Sequence, residues 1–167
     1  IIAYDMFPDK EFAEKTGFKY VNLPEMLSQS DIVTLHTPYN KSTHHLINRD
    51  NISIFKKGAY LINTARGELV ETDALLKALA SNHLSGAGLD VLESERQLKE
   101  EISIFAKGSD NFKDFKTLFE DQVLLDMPQV IVTPHIAFCS KEAEQEIEKT
   151  TVENIKCFLS GTPQNLV

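Results

Sequence analysis

Short apolar segments alternate with segments of helical character along nearly the whole chain. The apolar runs are four to seven residues long and rich in Val, Ile, Leu or Tyr, which is typical of buried parallel strands. We predict strands at 1–4, 18–21, 31–35, 58–63, 84–90 and 130–133. Strands and helices of these lengths in alternation predict an α/β fold with a doubly wound parallel sheet.

The segments between the predicted strands carry helix caps and apolar faces. Helices are predicted at 9–16, 23–29, 49–57, 72–82 and 140–160. Ser140 is a suitable N-cap for the last of these. In the long segment 93–129, the spacing of Phe112, Phe115 and Phe119 predicts a short amphipathic helix.

Charge and composition exclude several classes of function. The 167 residues include 17 Lys plus Arg and 25 Asp plus Glu, a net charge of −8, which argues against nucleic acid and anionic membranes as partners. No apolar run approaches the ~20 residues that span a bilayer. Cys139 and Cys157 lack a zinc-site spacing and form no disulfide framework. The side chains of His44 and His45 should diverge, so no metal is expected, and the chain is predicted to be cytoplasmic.

Residues suited to anion binding and acid–base chemistry follow three of the predicted strands. Arg66 lies in the segment 63–70, Glu95 ends the segment 86–95, and His135 lies in 132–137. Ligands of open α/β sheets bind at the carboxyl ends of the strands, where these segments begin. Taken singly, Arg66 is better interpreted as a surface-loop residue, Glu95 as a solvated charge and His135 as a turn residue. As an ordered set, they predict a catalytic site.

Asp5 ends the first predicted strand, where dinucleotide-binding sheets place a carboxylate against the adenosine ribose. A carboxylate there accepts hydrogen bonds from both ribose hydroxyls and repels a 2′-phosphate. No Arg follows in the next three residues, so NAD is expected rather than NADP. Asp is also common in turns after strands, and Asp5 alone would not establish the site.

These segments, with 31–38 and 46–48, resemble the D-isomer-specific 2-hydroxyacid dehydrogenase family over essentially the whole chain. The resemblance implies a Rossmann-like cofactor domain and NAD-dependent oxidation of 2-hydroxyacids. Arg66 would bind the substrate carboxylate, since a guanidinium can donate two parallel hydrogen bonds. His135 would exchange the proton of the substrate oxygen, and Glu95 would pair with His135 and favour its charged imidazolium.

The resemblance also assigns the residues around the cofactor and the substrate. Phe138 would face the small substrate side chain, and His36 is expected to be a structural partner rather than a catalyst. The cofactor-binding residues it implies are Asp5, Pro38, Asn40, Thr64, Ala65, Asp90 and His135.

The long segment 93–129 resembles the fermentative D-lactate dehydrogenases, so the expected reaction is reduction of pyruvate to D-lactate. Two residues depart from the family pattern: Glu71, where most relatives have Asp, and Cys139, where lactate-type relatives often have Tyr. A non-enzymatic alternative is an NAD-sensing corepressor of the C-terminal-binding-protein type. A further alternative is a catalytically inactive fragment.

Family members have two domains, with the cofactor domain inserted into the substrate domain. We therefore expect residues 1–139 to form a partial NAD-binding domain and 140–167 to form a helix and tail that return to a substrate domain. The first strand, the glycine turn and the first helix of the cofactor domain are missing from the sequence. Strands 1–4 and 31–35 should then face a gap. The fragment alone should be inactive, and the full-length protein a homodimer.

Overall fold

The computed structural model describes residues 1–94 and 112–166, with residues 112–115 described by their backbone alone. The chain forms two compact units, Ile1–Pro134 and His135–Val167. The first unit holds all the strands that the structure describes, and the second holds the last helix. The predicted division between 139 and 140 stays a prediction.

All six predicted strands are present and all pair in parallel, which confirms the α/β, Rossmann-like fold. They form a two-stranded sheet, β1–β2, and a four-stranded sheet in the order β3–β4–β5–β6. The strands are β1 (Ile2–Ala3), β2 (Lys19–Tyr20), β3 (Ile32–Leu35), β4 (Ala59–Asn63), β5 (Leu84–Leu89) and β6 (Val130–Val132).

The two sheets are separate because β1 and β3 do not pair with each other. Among the described strands, β1 pairs with β2 and β3 pairs with β4, so each has one unpaired edge. These are the two strands that the sequence predicts on either side of a gap. The expected interruption of strand pairing is confirmed.

Five α-helices are described, and their ends follow from capping residues. Asp9, Asn22 and Ser140 each accept a hydrogen bond from a backbone N–H in the first turn of the following helix. Gly17 ends the first helix in the left-handed conformation, at φ 81°. The helices are α1 (Lys10–Thr16), α2 (Leu23–Gln29), α3 (Thr72–Ala80), α4 (Phe112–Asp126) and α5 (Lys141–Leu159).

The helix predicted at 49–57 is wrong: the structure has only a 3₁₀ turn, Ile52–Ile54. The side chain of Asn51 accepts a hydrogen bond from the N–H of Asn48 and donates one to the carbonyl of Leu46. These local side-chain bonds stabilise a turn at the expense of a helix.

Helix α4 is longer than the short helix predicted from its phenylalanines, and one of these, Phe119, does not lie on its buried face. Phe119 is 70% exposed, whereas Leu124 and Asp121 are each 1% exposed. The spacing of the phenylalanines therefore predicted the helix but not its buried side.

The four-stranded sheet buries one face. Val33, Leu61 and Leu89 point into a core shared with α2, α3 and α4. On alternate residues, Ile32 and Ile131 are exposed. The strands predicted to be buried therefore alternate between buried and exposed residues. The reason is that the described helices of the first unit cover only one face of this sheet.

In the second unit, α5 carries the predicted apolar stripe, and none of its residues is buried. Ile147, Ile155, Phe158 and Leu159 are all more than half exposed. In the part of the chain that the structure describes, no helix is long and apolar enough to cross a membrane.

Candidate functional site

Arg66 lies just after β4 on a backbone that Asn63 braces. Asn63 is the last residue of β4 and is 1% exposed. Its side chain accepts a hydrogen bond from the N–H of Ala65 (3.0 Å) and donates one to the carbonyl of Arg66 (2.8 Å). This buried amide, bonded through both its oxygen and its nitrogen, fixes the turn from inside. Arg66 itself is exposed, with its guanidinium on the carbonyl of Ala65 at 2.6 Å, and can therefore meet an anion in solvent.

A close backbone contact joins the Arg66 segment to the end of β5. A Cβ added at Gly67 would lie 2.0 Å from the carbonyl oxygen of Leu92 and 2.5 Å from the nitrogen of Glu93. Real Cβ contacts are never that short, so the two segments can meet only where residue 67 is glycine. The chain after β4 and the chain after β5 therefore move together.

The loop 45–49 docks along the same segment from the other side. The N–H of His45 donates to the carbonyl of Glu68 (2.8 Å), and the N–H of Ile47 donates to that of Leu69 (3.0 Å). Glu71 accepts hydrogen bonds from the backbone N–H of Arg49 (2.9 Å) and from its guanidinium. These bonds from Arg49 hold the pKa of the Glu71 carboxyl below its usual range, although burial acts in the opposite direction.

Asp90, directly after β5, is buried beside the same strand end. Its N–H donates to the carbonyl of Asn63 (2.9 Å), and its carboxylate accepts a hydrogen bond from the hydroxyl of Thr133. The carboxylate is thereby held between β4 and β6. Asp90 and Arg66 thus follow neighbouring strands, β5 and β4, at the same edge of the sheet.

The loop after β3 carries two of the predicted cofactor residues, Pro38 and Asn40. Thr43 donates its hydroxyl to the carbonyl of Pro38 (2.8 Å). The side chain of Asn40 accepts from the backbone N–H of Ser42 (2.8 Å) and from its hydroxyl (2.6 Å). Asn40 therefore serves to close its own turn, a use that the sequence analysis did not anticipate.

Asp5 is exposed after β1, and its carboxylate accepts a hydrogen bond from the N–H of Phe7 at 2.7 Å. The bond holds the side chain near the backbone and leaves acceptor capacity for hydroxyl donors. Thr64 is exposed and Ala65 is half-buried beside Arg66.

The remaining predicted residues lie in the second unit or outside the described residues. Glu95 is outside them. His135 is in the second unit and has a left-handed backbone, with φ 56°. Phe138, in the same unit, is exposed. Among the described residues, no group of three or more His, Cys, Asp or Glu side chains could hold a metal ion.

Sequence reasoning missed a polar network behind the strand ends. His45 contacts Glu93 at 2.6 Å, and Glu93 accepts hydrogen bonds from Thr72. Ser94 donates to Asp121 of α4. The residues lie in four distant parts of the sequence, and no motif or spacing connects them. The prediction that the side chains of His44 and His45 diverge is wrong. Their rings are stacked, with the centroids 3.8 Å apart.

The model of the D-isomer specific 2-hydroxyacid dehydrogenase NAD-binding domain matches residues 1–137. The chain belongs to this family. The resemblance read from the sequence is confirmed, and so is NAD as the cofactor of this domain family. The exposed carboxylate of Asp5 fits such a cofactor, because it can accept hydrogen bonds from ribose hydroxyls.

Three relatives show how far the likeness extends. A 2-hydroxyacid dehydrogenase homolog of Zymomonas mobilis is 39% identical over 96% of the chain, and 46% of that protein is covered. A glycerate dehydrogenase of Methylorubrum extorquens is 37% identical over 100% of the chain and 45% of its own length. The crystal structure of an Aquifex aeolicus D-lactate dehydrogenase with NAD and lactic acid is 40% identical, with a TM-score of 0.79, over 96% of the chain and 46% of that protein.

The chain thus spans less than half the length of these relatives. All three are described as dehydrogenases or their homologs, and none favours the corepressor alternative.

Proposed function

We propose that the full-length protein carrying this chain is an NAD-dependent D-lactate dehydrogenase that reduces pyruvate. The observation that carries the proposal is the turn after β4, which the buried amide of Asn63 braces and which holds the exposed Arg66 at the carboxyl edge of the sheet. Membership of the 2-hydroxyacid dehydrogenase family supports the reaction class, and the similar D-lactate dehydrogenase structure supports the substrate.

In this proposal, Arg66 binds the substrate carboxylate and His135 transfers the proton. A guanidinium donates two parallel hydrogen bonds to a planar carboxylate, which fixes the orientation of a small 2-keto acid. His135 donates a proton to the keto oxygen during reduction and takes it back during oxidation. Glu95 pairs with His135, and Phe138 faces the substrate methyl group. Bound NADH supplies the hydride.

Asp5 would accept hydrogen bonds from the ribose hydroxyls of the cofactor. Asp90 would contact the nicotinamide carboxamide. The other residues proposed around the cofactor are Pro38, Asn40, Thr64, Ala65 and His135. Their exposure at strand ends supports the proposal for Pro38, Asn40 and Thr64.

The experiment measures NADH oxidation by the full-length protein with pyruvate, hydroxypyruvate and 4-methyl-2-oxopentanoate. We expect the highest kcat/KM with pyruvate.

Replacement of Arg66 by Lys keeps the charge but loses the paired donors. We therefore expect kcat/KM for pyruvate to fall roughly 10- to 100-fold, the effect of losing one charge-assisted hydrogen bond. The control, Lys15→Arg at an exposed position of α1, should leave KM for pyruvate unchanged. No turnover of any 2-keto acid by the wild type contradicts the function, and a preference for another acid contradicts the substrate.

We further propose that the full-length protein is a cytoplasmic homodimer and that residues 140–167 return to a substrate domain. The exposed apolar stripe of α5 supports the second point. Light scattering of the full-length protein tests the dimer, and a monomer mass would contradict it. The 167-residue chain alone should show no turnover with pyruvate.

A further inference from the structure

Two adjacent residues after β5, Glu93 and Ser94, form hydrogen bonds with two different helices, α3 and α4. Ser94 donates its N–H to Asp121 of α4 (2.9 Å) and also donates its hydroxyl to the same carboxylate oxygen. Both residues are 1% exposed. The other carboxylate oxygen of Asp121 lies 3.3 Å from the hydroxyl of Thr72, the first residue of α3. Asp121 therefore connects α4 with the chain after β5 and with the start of α3.

Glu93 provides a second carboxylate at the same place. One of its oxygens accepts from the N–H of Thr72 (3.0 Å) and from its hydroxyl (2.7 Å), and the other contacts His45. The residue before Thr72, Glu71, makes no side-chain cap bond to α3. Glu93 therefore satisfies a free N–H at the start of α3 from outside the helix.

The anchored residues contact both ends of the stretch that directly follows Arg66. At one end, Gly67 packs directly against the carbonyl of Leu92. At the other end, the segment runs into Thr72, where α3 begins. A displacement of the chain at 92–94 would therefore push on Gly67 and loosen Thr72 together.

The hydroxyl of Thr72 has a single hydrogen for two carboxylates. Glu93 is the nearer acceptor, at 2.7 Å against 3.3 Å for Asp121. The contact with Asp121 is therefore the weaker of the two. Burial raises the pKa of the Asp121 carboxyl, and the charge of Glu93 acts in the same direction, while the bonds from Ser94 oppose it. An asparagine at position 121 could accept from Ser94 through its oxygen and donate to the hydroxyl of Thr72 through its nitrogen.

We infer that Asp121 is a positioning residue for the dehydrogenase reaction, which holds the Arg66 segment in place through Ser94 and Thr72. The inference rests on the proposed function, because Arg66 is there the residue that binds the substrate carboxylate. Asp121 does not touch the substrate, and its effect is on where the guanidinium can lie. A looser segment weakens binding of the keto acid more than binding of the cofactor.

The test compares Asp121→Leu with Asp121→Asn in the full-length protein. The leucine has a similar shape but no hydrogen-bonding group, and we expect KM for pyruvate to rise about 10-fold, as loss of one buried hydrogen bond predicts, with the Kd of NADH unchanged. The asparagine can accept from Ser94 and donate to Thr72, so its KM should stay within twofold of the wild type. Asp126→Leu, an exposed position on the same helix, is the matched control and should change neither constant.

Hydrogen exchange provides a readout that does not need turnover. Amides in 66–72 should exchange about 10-fold faster in the leucine variant and at the wild-type rate in the asparagine variant. If the wild type reduces no 2-keto acid, the proposed function fails, and exchange still decides whether Asp121 holds this segment. If Asp121→Leu does not fold, Ser94→Ala takes its place, with a smaller rise in KM and in exchange expected. Unchanged KM and unchanged exchange in the variants that fold would overturn the inference.

Discussion

At the scale of single residues, the placement of Arg66 depends on its neighbours. The buried amide of Asn63 bonds to both sides of the turn, and Gly67 permits the contact with Leu92. A flexible, exposed Arg side chain gains precision as an anion binder when its own backbone is fixed, because less entropy is lost on binding. The carboxylate of Asp5 is fixed in a similar way, by a hydrogen bond from the N–H of Phe7.

Asp5→Ser should weaken NADH binding and reduce the preference for NADH over NADPH. The carboxylate accepts from both ribose hydroxyls and repels a 2′-phosphate, and a serine does neither as well. We expect the Kd of NADH to rise about 10-fold, as loss of one charge-assisted hydrogen bond predicts, and the Kd of NADPH to fall. Fluorescence titration of the full-length protein measures both constants. Asp50→Ser, in an exposed loop, is the control, and an unchanged NADH/NADPH ratio for Asp5→Ser would contradict the role.

His135→Asn should slow the reaction and leave cofactor binding intact. Asparagine tolerates the left-handed backbone of position 135, at φ 56°, so the backbone should stay in place. Loss of a positioned acid–base group should lower kcat by roughly 10²- to 10⁴-fold. The control is His36→Asn, since His36 bonds to Thr34 at 3.1 Å and is expected to be structural. A His135→Asn enzyme with normal kcat and unchanged NADH binding would reject the role.

At the scale of elements, the site is built by short segments that dock on one another beyond the sheet. The chain after β4 is held by the loop 45–49 on one side and by the chain after β5 on the other. Parallel pairing brings the ends of β4 and β5 to one edge, and the docked segments then fix the side chains there.

Gly67→Ala should destabilise the first unit severely, because the new Cβ meets backbone atoms that cannot rotate away. We expect the free energy of unfolding to fall by at least about 3 kcal/mol, the upper range for overpacking. Gly17→Ala is the control: its φ is 81° with nothing within 4 Å, so only the cost of the left-handed backbone, about 1–2 kcal/mol, is expected. Urea denaturation measures both, and equal losses would contradict the contact.

At the scale of the whole molecule, buried carboxyl groups make stability depend on pH in two directions. The pKa of Glu71 is lowered by Arg49, so Glu71 stabilises the folded state above its unfolded pKa, and this contribution is lost as the pH falls through the folded value. The pKa of Asp121 is raised by burial, so its contribution is greatest at low pH and is lost as the pH rises through the folded value. The two effects partly offset each other across the acid range.

Glu71→Gln should lower the free energy of unfolding at pH 7, and the deficit should shrink as the pH falls below about 4.5, the ordinary value for this group. The reason is that acid removes from the wild type the same charge that the substitution removes. Denaturation at a series of pH values measures the difference. Glu14→Gln, exposed on α1, is the control and should give a small deficit at every pH. A deficit for Glu71→Gln that is independent of pH would contradict the pair with Arg49.

The sequence predicted the elements well where one local rule governs them. Apolar runs located all six strands, and caps such as Gly17 and Ser140 located helix ends. The helix expected at 49–57 was wrong, because the bonds of Asn51 and the docking of Arg49 on Glu71 depend on partners that propensity does not include. The buried side of α4 was also missed, since the spacing of its phenylalanines carries no information about which face meets the sheet.

The sequence by itself determined the parallel α/β fold, the family and the candidates Arg66, Asp90 and Asp5, because strand length, periodicity and ordered motifs are local properties of the chain. Only the tertiary structure decided how Arg66 is held, through Asn63, Gly67 and the network that ends at Asp121. These contacts join segments that are up to about fifty residues apart, such as Thr72 and Asp121. Hydrogen bonds across that separation depend on the folded positions of both partners, and no pattern in the sequence records them.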